Sequence, residues 1–180
     1  MPGCLVKPSE NFSPDLIVSF VTKEAGELSY LLEDMRKHDY SFTTPGCTGL
    51  NYTTDKGFEV IPLFKTDTVG CWNEIETTNF IDDTVRMNPA KGETEEIFTT
   101  ALALRRDINN KEQRIIIIGD ADCLSNSEVE MRRKGIRAAN YSFILGTFFW
   151  LSNEEVPIDI RRPTPPDNKV YVGESGMKVT

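Results

Sequence analysis

The clearest pattern along the chain is the uninterrupted run of four isoleucines at residues 115–118. A β-branched run without polar alternation is typical of a strand buried on both faces of a sheet. Alternating apolar and polar positions predict a second strand at residues 98–104, joined to this run by a polar turn. We therefore expect residues 115–118 to form the central strand of the fold.

Apolar residues at steps of three and four positions predict two helices. The first covers residues 24–37, where acidic residues come early and basic residues close the segment, as the helix dipole favours. The second follows residue 127, and its expected apolar face consists of Ile136, Ala139, Phe143, Ile144, Thr147, Phe148 and Leu151. Shorter apolar runs predict further strands at residues 15–21, 40–42, 58–64, 156–160 and 169–172.

Helices combined with a fully buried strand predict a single α/β domain over residues 1–180. We expect a mixed, mostly parallel sheet with helices on its faces. Pro62 has no N–H group for a strand ladder, so its strand should lie at a sheet edge or be interrupted there. Residues 163–180, with their prolines and glycines, are expected to form a C-terminal connector.

The net charge of the chain disfavours two classes of binding partner, nucleic acids and anionic membranes. The chain has 28 aspartates and glutamates against 20 lysines and arginines, which gives a net charge of −8. Such a surface repels phosphate backbones and anionic lipid headgroups, so we expect no nucleic-acid partner and no peripheral membrane binding. A transmembrane helix needs about 20 consecutive apolar residues, and the sequence has no such run.

The side chains that most often perform acid–base chemistry or bind metals are scarce. His38 is the only histidine, and Cys4, Cys47, Cys71 and Cys123 are scattered without a C-x-x-C pair. This inventory predicts no metal site, no cofactor and no catalytic residue. The cysteines are expected to pack as small buried side chains, and a disulfide between two of them stays open.

One segment could still concentrate chemistry, because Asp120, Asp122, Ser125 and Asn126 directly follow the isoleucine run. Open α/β sheets place ligand sites at the carboxyl ends of strands, and two nearby aspartates can hold Mg²⁺ for phosphoryl transfer. The same residue types also cap helices and bind the amides of their own loop. We favour loop organisation or contact with a small ligand. A metal-dependent hydrolase or phosphotransferase that uses Asp120 and Asp122 is the alternative.

A second candidate surface consists of Trp72, Asn73 and Glu74. These residues lie within residues 69–96, where weak periodicity predicts an elaborate loop. An exposed tryptophan in a concave, polar-rimmed patch is typical of ligand sites. The segment therefore keeps open a sugar- or peptide-binding module.

Three segments taken together suggest a family: RIIIIGDADCLSN at residues 114–126, FFWLSNEE at 148–155 and PIDIRRP at 157–163. They resemble the end of the extracytoplasmic domain of ABC-type transport-system auxiliary proteins, the gliding-motility-associated, GldG-like group. Residues 57–74 are similar to a strand and a tryptophan-containing segment of the same family. The resemblance extends over residues 40–177.

The resemblance implies a glutamine-amidotransferase-like α/β fold without the Cys–His catalytic pair of that superfamily. It also implies an ABC permease and an ATPase as partners, and anchoring by transmembrane helices that this chain lacks. The chain would then be an excised soluble part of a larger membrane-anchored protein, placed extracytoplasmically (periplasmically) at the cell membrane. The leading expectation is a non-catalytic auxiliary or interaction domain of an ABC-type transport system.

Overall fold

The framework of the molecule is a five-stranded sheet. The structure is a computed structural model that describes residues 4–28, 30–76 and 85–153 of the chain. The main sheet has the order β3-β2-β4-β6-β7, and β1 pairs with β5 in a separate two-stranded sheet. The strands are β1 (Cys4–Val6), β2 (Leu16–Val21), β3 (Ser41–Pro45), β4 (Glu59–Thr66), β5 (Trp72–Glu74), β6 (Thr99–Ile108) and β7 (Lys111–Ile118).

Helices cover one face of the main sheet. They are α1 (Tyr30–Lys37), α2 (Asn126–Glu130) and α3 (Asn140–Leu151), with short 3-10 helices at Glu24–Glu27, Pro89–Lys91 and Asp122–Leu124. Three aromatic rings form the centre of the core between sheet and helices: Phe42 and Phe64 stack at 4.6 Å, and Phe143 of α3 meets them edge-on at 4.8 and 4.9 Å. Burying these rings, each worth roughly 1.5–3 kcal/mol, fixes α3 on the sheet.

The predicted mostly parallel sheet is wrong. Each pair of neighbouring strands in the described sheets is antiparallel, and the main sheet curls like half a barrel with few helices. The β6–β7 hairpin shows why, since its two turn residues, Asn109 and Asn110, have φ values of 52° and 61°. Two left-handed residues make the tight turn that joins antiparallel strands, whereas parallel strands need a long crossover. The glutamine-amidotransferase-like fold implied by the resemblance is therefore not found.

The prediction that residues 115–118 form a central strand is also wrong. They belong to β7, which lies at the end of the main sheet and pairs among the described strands only with β6. Ile115 and Ile117 are 42% and 40% exposed, while Ile116 and Ile118 pack against the helix-covered core. Successive strand residues point to opposite faces, so helices cover only every second isoleucine.

The predictions for β6, for the turn after it and for Pro62 concern local features of the sheet. The strand at residues 98–104 and the polar turn after it are confirmed as β6 and the hairpin to β7. Pro62 lies within β4, which is an inner strand of the sheet, and the register shifts directly after it. Of the two expected alternatives, an edge position or an interruption at the proline, the interruption is confirmed and the edge position is not found.

The helix predictions were only partly right. The single helix expected after residue 127 is wrong, because α2 and α3 are separated by the non-helical segment 131–139, which contains Ile136 and Ala139. The segment 24–37 divides into a 3-10 helix and α1. In α3 the buried residues include Phe143 and Trp150, whereas Phe148 and Leu151, expected to face the core, are exposed. The predicted strands at 156–160 and 169–172 and the connector at 163–180 lie outside the described residues.

Candidate functional site

The Asp120 segment forms a tight turn directly after β7. One carboxylate oxygen of Asp120 accepts the backbone N–H of Asp122 at 2.8 Å, and the other accepts that of Cys123 at 3.0 Å. The Cys123 thiol in turn donates to the Asp120 carbonyl at 3.1 Å. Asp120 therefore holds the start of the 3-10 helix Asp122–Leu124, while Asp122 itself is exposed.

The two other residues of this candidate site belong to the next helix. The hydroxyl oxygen of Ser125 accepts the N–H of Glu128 at 3.2 Å, so Ser125 is the N-cap of α2. Asn126 is the first residue of α2 and is exposed. The four residues thus lie together in space, in a turn followed by a capped helix.

Gly119, the residue before Asp120, lies where two backbone segments pack closely against each other. A Cβ atom on Gly119 would lie 2.1 Å from the carbonyl oxygen of Thr48. The Gly119 carbonyl accepts the N–H of Thr48 at 2.9 Å, and its own N–H donates to Thr100 at 2.9 Å. Only glycine allows two backbones to approach this closely. The motif-like sequence GDAD is therefore explained by a backbone crossing and a turn.

The geometry of this turn, and not its charge, argues against a metal site. Burial raises the pKa of Asp120 above its ordinary value, against the two backbone N–H groups that lower it, and the charges of Asp122 and Glu128 raise it further. Within residues 4–28, 30–76 and 85–153, no group of three or more histidines, cysteines, aspartates or glutamates could hold a metal ion. The carboxylate that would bind Mg²⁺ already accepts amide hydrogens of its own turn.

Behind the turn lies a buried polar cluster that joins the edge strand β3 to the helices. The Asn140 side chain donates to the carbonyls of Thr43 and Cys123 at 2.8 and 3.1 Å and accepts the N–H of Thr43 at 3.0 Å. Glu128 accepts the Thr43 hydroxyl and forms two bonds with Arg133 at 2.6 and 2.8 Å. These residues are far apart in sequence, and no motif indicated that they meet.

The charge of Glu128 is matched inside this cluster. Burial by itself would raise its pKa, but the hydrogen bonds from Arg133 and Thr43 and the charge of Arg133 leave the pKa below its usual value. Glu128 is 5% exposed. The pair therefore stays ionised and fastens α2 to the rest of the domain.

The second predicted surface is buried. Trp72 and Glu74 are 5% and 6% exposed, and the Trp72 indole N–H donates to Glu74 at 3.3 Å. Asn73 accepts the N–H and hydroxyl of Thr94 at 2.6 and 3.1 Å. All three residues thus fasten the segment after Pro89–Lys91 onto β5. Trp72 offers no exposed ring for a sugar or peptide to stack on.

Glu74 meets a second buried carboxylate, Glu93, which is 3% exposed. Burial raises the pKa of Glu74, and the contact with Glu93 raises it further. Burial also opposes ionisation of Glu93, but the N–H groups of Asn88, Ile75 and Glu76, together with the bond to Glu74, bring its pKa below the usual value. The contact between the two carboxyl groups therefore opposes ionisation of Glu74 and favours ionisation of Glu93.

The thiols are poor nucleophiles. All four cysteines are free, and Cys47, Cys71 and Cys123 are buried. Burial raises the pKa of Cys47 and Cys123 to about 12, and that of Cys4 and Cys71 to about 11. A thiol attacks as thiolate, so none of the four is activated at neutral pH.

The two described cavities offer little to a ligand. One, of about 10 Å³, is apolar and lies between α1, β7 and α3. The other is an open depression of about 450 Å³ at the β6–β7 hairpin, lined by charged side chains. There Arg105 pairs with Glu59, and Arg106 stacks on Phe58 at 4.1 Å. Both guanidinium groups are therefore already engaged.

The most unusual surface of the molecule is the outer side of α3. The helix has the sequence NYSFILGTFFWL and carries no charged residue. Tyr141 and Phe148 are 56% and 57% exposed, and Leu151 is 42% exposed. Ile144 and Leu145 lie between them and are half-buried. These five residues, named here the α3 outer face, form an apolar strip along the whole helix.

Comparison with known proteins gave no match: no family model, no curated protein and no solved structure is similar to the chain. In the part of the chain that the structure describes, helices are too short or too polar to span a membrane. The resemblance to ABC-type auxiliary proteins stays an expectation from the quoted sequence segments.

Proposed function

We propose that this chain is a non-catalytic interaction domain that binds a protein partner through the α3 outer face. The observation that carries the proposal is an uncharged helix at the surface that has large apolar side chains on its exposed side as well as on its buried side. Helices that are hydrophobic all round are normally buried. Contiguous exposed apolar patches on folded domains mark surfaces that another molecule covers.

The exposed residues have the spacing that a docking helix needs. Tyr141, Ile144, Phe148 and Leu151 follow one another at steps of three or four residues, which places them on one stripe. The opposite side, with Phe143 and Trp150, is already in the core. Aromatic residues at the centre of an apolar stripe are the side chains that contribute most to protein–protein binding.

The alternative functions have less support. The Asp120 carboxylate accepts amide hydrogens of its own turn, and Trp72 is buried, so neither a metal-dependent hydrolase nor a sugar-binding module is proposed. A place beside an ABC permease and ATPase at the cell membrane follows from the resemblance alone. The antiparallel sheet differs from the fold which that resemblance implies, and the proposal therefore depends only on α3.

Site-specific photo-crosslinking tests the proposal in the cells that produce the protein. The full chain carries benzoyl-phenylalanine in place of Phe148 or, as a matched control, in place of Val69, which is 68% exposed in the loop before β5. We expect crosslinked protein at position 148 at roughly tenfold the control yield, and its loss when Leu151→Asp is added. Equal yields at both positions, or none at 148, would overturn the proposal.

A further inference from the structure

We infer that a basic surface beside the end of α1 binds a short acidic segment of another protein. The surface consists of exposed bases from two distant parts of the chain: Arg36 in the last turn of α1, and Arg132, Lys134 and Arg137 in the segment between α2 and α3. These residues are named here the basic corner. The inference goes beyond the proposed function, because it does not use the α3 outer face.

Backbone hydrogen bonds bring the two parts of the chain together. The N–H of Ser41, the first residue of β3, donates to the Arg137 carbonyl at 3.0 Å, and the N–H of Ala139 donates to the Ser41 carbonyl at 2.9 Å. The connection from α1 to β3, residues 38–40, spans at most about 14 Å. The last turn of α1, with Arg36, therefore lies near residues 137–139.

The Arg137 side chain is held in a fixed orientation. Its guanidinium group lies over the ring of Tyr40, 4.8 Å from the ring centroid. Stacking occupies the flat face of a guanidinium and leaves the N–H groups at its edge for a carboxylate, which they bind through two parallel hydrogen bonds. A side chain that is already ordered loses less freedom when a ligand binds.

Arg132 and Lys134 lie on either side of a residue that is anchored in the interior. Arg133 forms two hydrogen bonds with the buried Glu128, at 2.6 and 2.8 Å. The N–H of Ile136 donates to the Arg133 carbonyl at 3.2 Å and closes a turn. Arg133 thus fixes the backbone, while its two neighbours are exposed.

The basic corner carries positive charge that the described part of the molecule leaves unpaired. Within residues 4–28, 30–76 and 85–153 its side chains form no ion pair, whereas Arg105, Arg114 and Arg133 each pair with a glutamate. The two segments also contain the exposed acids Asp39 and Glu130, which are fewer than the bases. This excess of bases contrasts with the net charge of −8 of the whole chain.

The charge distribution favours a short acidic peptide over a long polyanion. A peptide with a few consecutive carboxylates can contact the basic corner alone. A nucleic acid would extend beyond it and meet the repulsion of an otherwise acidic molecule. Exposed ion pairs are individually weak and screened by salt, so we expect modest, salt-sensitive binding.

Fluorescence anisotropy of a short labelled oligoglutamate peptide, titrated at low salt with the full chain, measures this binding. Arg132→Gln with Lys134→Gln should raise the dissociation constant about fivefold, because two exposed ion pairs are lost. The matched control is Lys23→Gln with Lys111→Gln, which removes the same charge at exposed positions outside the basic corner and should leave the dissociation constant within about twofold. Circular dichroism verifies that the variants fold.

A second pair of changes tests whether the two parts of the chain form one surface. Arg36→Gln with Arg137→Gln removes one charge from each part and should weaken binding about as much as the first pair. Equal weakening by the control pair, or no effect of Arg36→Gln with Arg137→Gln, would overturn the inference. Equal binding of an oligoglutamine peptide, or tighter binding of an oligothymidylate of the same charge, would show that the class of partner is wrong.

Discussion

Glu128 and Glu74 are two glutamates of nearly equal burial in opposite electrostatic surroundings. Glu128 is 5% exposed and faces Arg133, and Glu74 is 6% exposed and faces Glu93. Burial opposes ionisation of both, but the guanidinium lowers the pKa of Glu128 while the second carboxylate raises that of Glu74. The partner, and not the depth of burial, therefore decides whether a buried carboxyl group is charged.

The two regions should respond to pH in opposite directions. The pKa of Glu128 is lowered in the folded state, so its stabilising contribution is present above the unfolded pKa and is lost as pH falls through the folded one. The pKa of Glu74 is raised, so its contribution is complete below the unfolded pKa and is lost as pH rises through the folded one. Falling pH therefore weakens the contribution of Glu128, and rising pH weakens that of Glu74.

We expect the largest effect from breaking the ion pair between Glu128 and Arg133. Arg133→Met leaves Glu128 buried without its cation, and we expect a loss of about 3 kcal/mol in the free energy of unfolding at neutral pH. Urea denaturation measures it, with Arg132→Met, at an exposed neighbour, as a control that stays within about 0.5 kcal/mol. Adding Glu128→Gln should recover much of the loss. Equal effects at positions 132 and 133 would contradict the assignment.

We expect the second largest loss of stability from replacing Asn140, an uncharged residue of the same buried polar cluster. Asn140→Ala leaves the N–H of Thr43 and the carbonyls of Thr43 and Cys123 without their side-chain partner. We expect a loss of about 2 kcal/mol and faster hydrogen exchange at the Thr43 amide, because these groups lie in the interior. Asn126→Ala, at an exposed position, is the matched control. No change in exchange at Thr43 would show that β3 does not depend on this side chain.

The carboxyl pair gives a smaller effect whose sign depends on pH. Glu74→Gln imitates the protonated side chain. It should therefore remove the decline in unfolding free energy that the wild type shows as pH rises above the unfolded-state pKa of Glu74. Glu93→Gln should instead destabilise the fold at neutral pH, since ionised Glu93 accepts backbone N–H groups. Denaturation at a series of pH values compares the two variants. Parallel plots of unfolding free energy against pH for the two variants would disprove the opposite pKa shifts of Glu74 and Glu93.

The smallest effect concerns the turn after β7. Asp120→Asn keeps one acceptor oxygen of two, so one amide bond is lost and stability should fall by about 1 kcal/mol. Asp122→Asn, at an exposed carboxylate, should change stability by less than about 0.5 kcal/mol. Melting with added Mg²⁺ should match melting without it. A rise of several degrees that Asp122→Asn abolishes would revive the phosphotransfer alternative.

Much of the local structure could be predicted, because its causes lie within a few residues. The polar segment with Asn109 and Asn110 indicated a turn, and the residues around Asp120 indicated helix caps and amide acceptors. Such bonds join residues two or three positions apart and form the same way in many folds.

The buried partners could not be predicted in this way. Asn140 lies 97 residues from Thr43, and Glu93 lies 18 residues from the Ile75 amide that it accepts. Nothing in a sequence marks which distant strand will supply a backbone group. The pKa directions of Glu128 and Glu74 depend on these contacts, so they were equally inaccessible.

The sequence by itself determined the approximate places of the five main-sheet strands and of the β6–β7 turn, because hydrophobic period and turn chemistry act over short distances. It did not indicate β1, β5 or the break between α2 and α3. Only the tertiary structure decided the order and direction of the strands. The run at residues 115–118 shows the reason: four isoleucines fit an inner or an edge strand equally well, and the choice depends on which surfaces the helices cover. The exposed side of α3 was decided in the same way, since a helix with large apolar side chains on both sides does not encode which side meets the core.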